Sequence, residues 1–289
     1  MDGLDEADEV EAEPPLGDAV RIDRARRRLC GVLIGQQEAA ASSRCLAELS
    51  QAARWPLPDT VRAVVLSWPG EIPQLATALG NALAGPVQGD VCLLVPDPGP
   101  YDEIRDVVQG VLRGRAAAIG HVVPLGVTAS SVRWASRLLE LGPGDGAGEE
   151  RVLVVDEYLS ELLMLQDESL TRALAARWLQ PLDELTPRQS ARFERTLLAW
   201  LEGGGVPEAA KILEVHPQTV RYRMRQVEKL FGPALRDPRS RFELEMTLRG
   251  RRLLARMRHH RLVLGRGARA TGDALRSFDP VRQARVNGL

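Results

Sequence analysis

Apolar positions change rhythm twice along this chain. From Ala19 to about Arg54 they recur at helical spacing, with Leu29, Val32, Leu33, Leu46 and Leu49 placed on faces a helix can bury. Gly31 and Gly35 weaken a single continuous helix, and "WPLPD" (55–59) stops it. Strands and helices then alternate. "VRAVVLSW" (61–68), "DVCLLVP" (90–96), "AAAIGHVVPL" (116–125) and "RVLVVDEY" (151–158) read as strands. Between them "EIPQLATALGNAL" (71–83), "YDEIRDVVQGVLRGR" (101–115) and "TASSVRWASRLLELG" (128–142) read as helices, the first ending at Gly85-Pro86. This alternation predicts an α/β or α+β sandwich over roughly 61–156. An antiparallel ferredoxin-like sheet and a parallel one both fit. From Glu157 onward the pattern is all helical. A long connecting helix is expected over 157–180, then helices near 190–202, 207–213, 217–230 and 240–260, with breaks at Pro181, Pro187, Gly203–Gly205, Pro217, "FGP" (231–233) and "DP" (237–238).

Charge sharpens this division. The 289 residues carry a net charge of −1, but residues 1–18 hold eight carboxylates and no Lys or Arg. Residues 216–270 hold 15 Lys and Arg against Glu228, Asp237, Glu243 and Glu245, a net of +11. An acidic tail and a basic surface for a polyanion are the expectation. The three cysteines, Cys30, Cys45 and Cys92, are scattered and read as buried small hydrophobes in a reducing compartment. The acidic start lacks an apolar signal run, and no stretch approaches the roughly 20 apolar residues of a membrane span. A cytoplasmic protein without membrane contact follows. The scarcity of lysine, two against 36 arginines, reads as codon bias.

The stretch "EVHPQTVRYRMRQVEKLFG" (214–232) carries the chemistry. On a helical wheel Met224, Val227 and Phe231 fall within about 40° of Val220 and form one apolar stripe. Gln218, Tyr222, Arg225 and Lys229 fall opposite, flanked by Arg221 and Thr219, while Arg223 lies nearer the buried edge. Upstream, "LLAWLEGGGVPEAAKILEVH" supplies a core face (Leu197, Leu198, Leu201), a sharp glycine turn, a Pro207 suited to a first helical turn, and the small residues Ala209 and Ala210. Two short helices, a tight connection and a polar-fronted third helix make a helix-turn-helix. The major groove of B-DNA admits one helix. Arginine takes guanine bidentately, glutamine takes adenine, and Thr or Tyr reaches phosphates or a thymine methyl. The helix N-terminus favours a nearby phosphate. His216, Gln218, Thr219, Arg221, Tyr222, Arg225 and Lys229 are the expected DNA-binding residues.

Three pieces, "TLLAWLEGGG", "VHPQTVRYRMRQVEKLFG" and "DPRSRFELEMTLRGRRLL", resemble in order and spacing the C-terminal helix-turn-helix of PucR-type bacterial transcriptional regulators, which are related to the sugar-diacid regulators. "WLQPLDEL" (178–185) resembles the segment leading into that domain, and the α/β stretch resembles the family's central GGDEF-like domain. The family commonly has His-Arg-Asn-Thr where this chain has His216-Pro217-Gln218-Thr219. A separate N-terminal sensory domain is usual in the family, and about 60 residues before the α/β region are too few for one. The resemblance implies an α+β protein: an acidic tail (1–18), an N-terminal helical segment (19–56), a GGDEF-like, ferredoxin-like α/β domain (57–156), a connecting helix (157–182), the helix-turn-helix domain (183–260) and a basic tail (261–289). It implies sequence-specific regulation of bacterial genes, with double-stranded DNA and a homodimer or higher homo-oligomer as partners, RNA polymerase as a further partner, an unknown effector, and no cofactor. The alternative is a protein–protein adaptor that keeps the fold without base readout.

The remaining chemistry is sparse. No Gly-Gly-Asp-Glu-Phe signature or paired-carboxylate equivalent for metal-assisted phosphoryl transfer occurs, so no enzyme is expected. Gly89-Asp90 reads as a turn, and His121 as a satisfied core histidine in an apolar strand. His259-His260 lacks partners at metal spacing. Asp237 is expected to cap the helix beginning near Ser240, and Arg241 to hold structure rather than phosphate.

Overall fold

A computed structural model describes residues 16–35, 43–67, 72–112, 116–142 and 152–277. The acidic residues 1–15, the loop at 143–151 and the end of the basic tail, 278–289, lie outside the described residues. The chain divides into two compact units, one formed by the chain up to Leu139 together with Pro143–Glu157, the other by Glu140–Gly142 and Tyr158–Leu289.

The first unit begins with two helices, α1 (Leu16–Leu33) and α2 (Ser43–Ala53). β1 (Thr60–Leu66), α3 (Ile72–Ala78), β2 (Leu83–Val87), β3 (Asp90–Pro96), α4 (Tyr101–Leu112), β4 (Ala117–Ile119), β5 (Val123–Pro124), α5 (Thr128–Leu141) and β6 (Val152–Val154) follow. The strands form one sheet in the order β2-β3-β1-β4-β6, with β5 beside β1. Pairing is antiparallel except between β4 and β6. The run β1-α3-β2-β3-α4-β4 in the antiparallel order β2-β3-β1-β4 is the split ferredoxin-like arrangement, so the choice left open by periodicity falls to the antiparallel sheet. Val61 to Leu66 are all buried, without alternation, because both faces of this central strand are covered. On one face Val64, Leu93, Val95 and Ile119 pack with Leu75 of α3 and with Ile104 and Val108 of α4.

Several elements differ from the sequence reading. Helix α3 stops at Ala78, and residues 83–87 form an edge strand rather than a helix end. The cause is a two-residue hairpin turn, Gln88 (φ 49) and Gly89 (φ 93), both in the left-handed half of φ as a tight hairpin of matching twist demands. Pro86 is tolerated because an edge strand has N–H groups that need no partner. The expected strand 116–125 breaks at Gly120 into β4 and β5. A Cβ at Gly120 would stand 2.3 Å from Ser131 Oγ, and that hydroxyl ties the break together by accepting from Ala63 N–H at 3.1 Å and donating to His121 O at 2.6 Å.

His121 is therefore outside a strand and half-exposed. Its Nδ1 contacts Asp156, whose other oxygen meets Arg62 at 3.0 Å. Arg62 is only 5% exposed and also donates to Gly120 O at 3.0 Å. Cys30 of α1 lies against Gly85 of β2, where an added Cβ would meet its sulfur at 2.7 Å, so α1 is part of the same unit as the sheet. Burial pushes the Cys30 thiol up to about 12 and raises Cys92 as well, the behaviour of packed hydrophobes.

In the second unit the expected connecting helix is two helices, α6 (Leu159–Met164) and α7 (Glu168–Leu179). Asp167 splits them. Its carboxylate accepts from Ser169 and Leu170 N–H at 2.8 and 3.0 Å and caps α7. Then come α8 (Pro187–Gly203), α9 (Val206–Ile212), α10 (Pro217–Phe231) and α11 (Pro238–Ser277). Residues 261–277, read from sequence as a loose tail, continue α11. Their arginines, alanines and leucines are good helix formers, and the three glycines there cost only about 1 kcal/mol each. Among the described residues no helix is long and apolar enough to cross a membrane.

Candidate nucleic-acid interface

Helices α8, α9 and α10 build a trihelical unit whose joints are written locally. Thr186 opens α8 with a capping box: its hydroxyl accepts from Gln189 N–H, and the Gln189 side chain accepts from Thr186 N–H at 3.2 Å. Gly204 closes α8 at φ 71, where a side chain would be strained. The neighbouring Gly203 has a second reason to be glycine, since a Cβ there would meet Glu208 Cβ at 2.8 Å. Ala209 and Ala210 of α9 are buried, small enough to let the helices close. The turn into α10 is held by Val215 N–H donating to Ala210 O at 3.0 Å, and Glu214 takes the left-handed φ of 52.

His216 caps α10: its Nδ1 accepts from Gln218 N–H at 3.2 Å, with Pro217 in the first turn. As an acceptor, Nδ1 leaves the ring proton on Nε2, which remains available to an outside oxygen. Pro217 lacks only an N–H that the first turn would leave unpaired anyway, so the His-Pro-Gln-Thr head makes an intact helix start.

The two faces of α10 are as different as its sequence. Val220, Met224, Val227 and Phe231 are buried among Leu197, Leu201, Ala209 and Ala210, with Leu213 packed against them. His216, Gln218, Arg221, Tyr222, Arg225 and Lys229 are exposed, Tyr222 to 62%, and Thr219 is half-buried. The seven residues are thus brought together along one side of α10 and its head. Among the described residues no carboxylate pairs with Arg221, Arg225 or Lys229. Arg223 is set apart as expected: it is half-buried and donates to Thr196 Oγ1 at 3.4 Å. Burial, then the charges of Arg192 and Arg195, pull its guanidinium below the ordinary arginine value.

The helix behind this unit is anchored without using the exposed face. Asp237 caps α11, its carboxylate accepting from Ser240 N–H and Oγ–H at 2.8 and 2.7 Å. These bonds hold Asp237 below the usual carboxylate range. The Arg241 guanidinium sits 4.9 Å from the Trp200 ring centroid, a structural placement. His259 and His260 take part in no metal-competent cluster among the described residues. Sequence reading passed over Arg188, Arg192 and Arg195, although their i, i+4, i+7 recurrence sets them on one face of α8.

Residues 193–250 match the family model of the PucR C-terminal helix-turn-helix domain. Uncharacterized proteins of Mycobacterium bovis and of two strains of Mycobacterium tuberculosis are each 34% identical over 100 residues, 34% of this chain. That match spans 23% of the length of those relatives. Among solved structures, the regulator of polyketide synthase expression from Bifidobacterium adolescentis aligns over 78% of this chain and 92% of its own, with 20% identity and a TM-score of 0.41.

Proposed function

We propose that this chain, which carries a PucR C-terminal helix-turn-helix domain, is a sequence-specific DNA-binding regulator of transcription that docks α10 in the major groove. One observation carries the reading. The buried stripe of α10 fixes its rotation, and the side so presented is a continuous row of donors without a partner among the described residues: Gln218, Arg221, Tyr222, Arg225 and Lys229. Near the helix head, Gln218 and Arg221 meet base edges, and Arg225 reads guanine from the next turn. Thr219, Tyr222 and Lys229 hold phosphates or a thymine methyl, and the Nε2–H of His216 donates to the backbone beside it.

Two half-sites one helical turn apart require a second copy, so the working form is a homodimer or higher homo-oligomer. Leu163 and Leu170, exposed to 76% and 68%, support an association surface on α6 and α7. The protein acts as a regulator in the cytoplasm, responding to an effector and acting on RNA polymerase, and not as an enzyme.

Genomic footprinting of the bound protein supplies the operator. Fluorescence anisotropy on that fragment and on a scrambled copy then tests readout. Arg225→Ala and Arg221→Ala are expected to weaken operator binding by about 1–3 kcal/mol each where the contact is bidentate to a base. Equal affinity of both variants and wild type for the operator refutes the assignment. Equal affinity of wild type for operator and scrambled DNA leaves the adaptor reading in its place.

A further inference from the structure

Beside α10, away from its outermost row, lies a cleft of about 360 Å³ lined by Arg188, Arg192 and Arg195 of α8, Leu213 and Val215 of the turn, and Arg223 of α10. Four arginines line a space this small, and among the described residues none has a carboxylate partner. Two acids of α8 itself are engaged elsewhere: Glu194 pairs with Arg251 at 3.2 Å and Glu202 with Arg249 at 3.1 Å. Arg223 is held in place by Thr196, whose own hydroxyl donates to Arg192 O at 2.8 Å, so the floor of the cleft is fixed rather than swung in from solvent. Like charges gathered in a concavity repel one another, and a bound anion relieves the repulsion. Guanidinium forks match the paired oxygens of a phosphoryl group, and several can share one.

We propose that this cleft is a phosphoryl-anion site that couples α8 to α10. Two sources offer the same chemistry: a phosphodiester of the DNA backbone flanking the docked helix, or a free polyphosphate. Either bridges the arginines of α8 to Arg223 and so fixes the seat of α10. Only the backbone source rests on the groove-docking reading.

The test uses the full chain and the double variant Arg192→Gln/Arg195→Gln. Both side chains are exposed, so the fold is retained, and thermal melting without ligand verifies it. In the first arm inorganic pyrophosphate is titrated by calorimetry against a chloride control of equal ionic strength. A free-polyphosphate site gives saturable binding to wild type that weakens about tenfold or more in the variant. In the second arm DNA affinity is measured across salt concentrations. A backbone site lowers the slope of log K against log[salt] by about 0.9 for each phosphate that the variant no longer neutralises, with the preference for operator over scrambled DNA kept. Either result supports the site and names its source. Wild type that fails to bind pyrophosphate, together with identical salt slopes for both proteins, overturns it. Arg225→Ala separates the two readings: if it leaves operator preference intact while pyrophosphate binding persists, groove docking fails and the cleft stands.

Discussion

Val227→Asp tests the rotation of α10 directly. Val227 is 0% exposed, in a core built from Leu197, Leu201, Ala209, Ala210, Val220 and Met224. Removing its apolar side chain forfeits roughly 1.5–2 kcal/mol of burial. The new carboxyl has no donor among these neighbours and is forced toward its neutral form. If its folded pKa rises about three units above the ordinary 3.9, the cost at neutral pH is about 4 kcal/mol. The total of about 6 kcal/mol meets the lower end of a small domain's stability, about 5–15 kcal/mol. The variant is expected to lose DNA binding by unfolding of the second unit, seen as a lower melting temperature in circular dichroism and a shifted transition in tryptophan fluorescence. The sign with pH is fixed. An acid whose folded pKa is raised destabilises fully above that pKa and ceases to do so below its unfolded value, so the deficit against wild type shrinks as pH falls toward 4. Arg225→Ala, on the exposed face, is expected to lose operator binding with its melting temperature nearly unchanged. A Val227→Asp protein that melts like wild type and still binds would mean that the helix is rotated and that the wrong residues have been placed on the DNA.

Ser131→Ala strips the buried Ala63 N–H and His121 O of their shared hydroxyl and is expected to lower the stability of the first unit by about 1–3 kcal/mol, measured by urea denaturation. Asp237→Ala removes the cap of α11. Because the folded Asp237 is held below the carboxylate range, wild type is expected to melt higher than the variant above about pH 4, and the gap to close as pH falls through the lowered pKa. Glu214→Gly relieves a left-handed residue in the turn before α10 and is expected to raise stability by about 1 kcal/mol, with a lower melting point as the contrary result. Light scattering of the full chain is expected to report a dimer or higher species, and a monodisperse monomer at working concentration counts against the two-half-site arrangement.

The seat of α10 was legible because a small trihelical core permits few solutions. Residues at i, i+4, i+7 and i+11 share one face, only that face is apolar throughout, and a polar residue turned inward would lack a partner. The helix-turn-helix joints were legible for the same local reason: Gly204 takes a left-handed φ of 71 after α8, and Pro207 suits the first turn of α9. What escaped the sequence depends on partners distant in the chain. β2 looked like a helix end because Gly85 and Pro86 are terminators in isolation. They become an edge strand only once β3 is there to pair with and Cys30 to fill the space beside Gly85. His121 looked like a core residue because its run is apolar, yet its environment is set by Asp156, 35 positions on. The break at Asp167 was locally readable, since an Asp two residues before a Ser, ahead of an apolar run, is a cap signal that outweighs the helical rhythm around it.

The arginine cleft joins both kinds of case. The spacing of Arg188, Arg192 and Arg195 along α8 is written in the sequence. That Arg223 meets them, and that no carboxylate among the described residues does, follows only from the packing of α8 against α10. Exposed arginines on one helix face need no explanation beyond solvation. The same arginines gathered around a half-buried fourth form a concavity whose repulsion a bound anion offsets, and that geometry separates the proposed site from a basic surface.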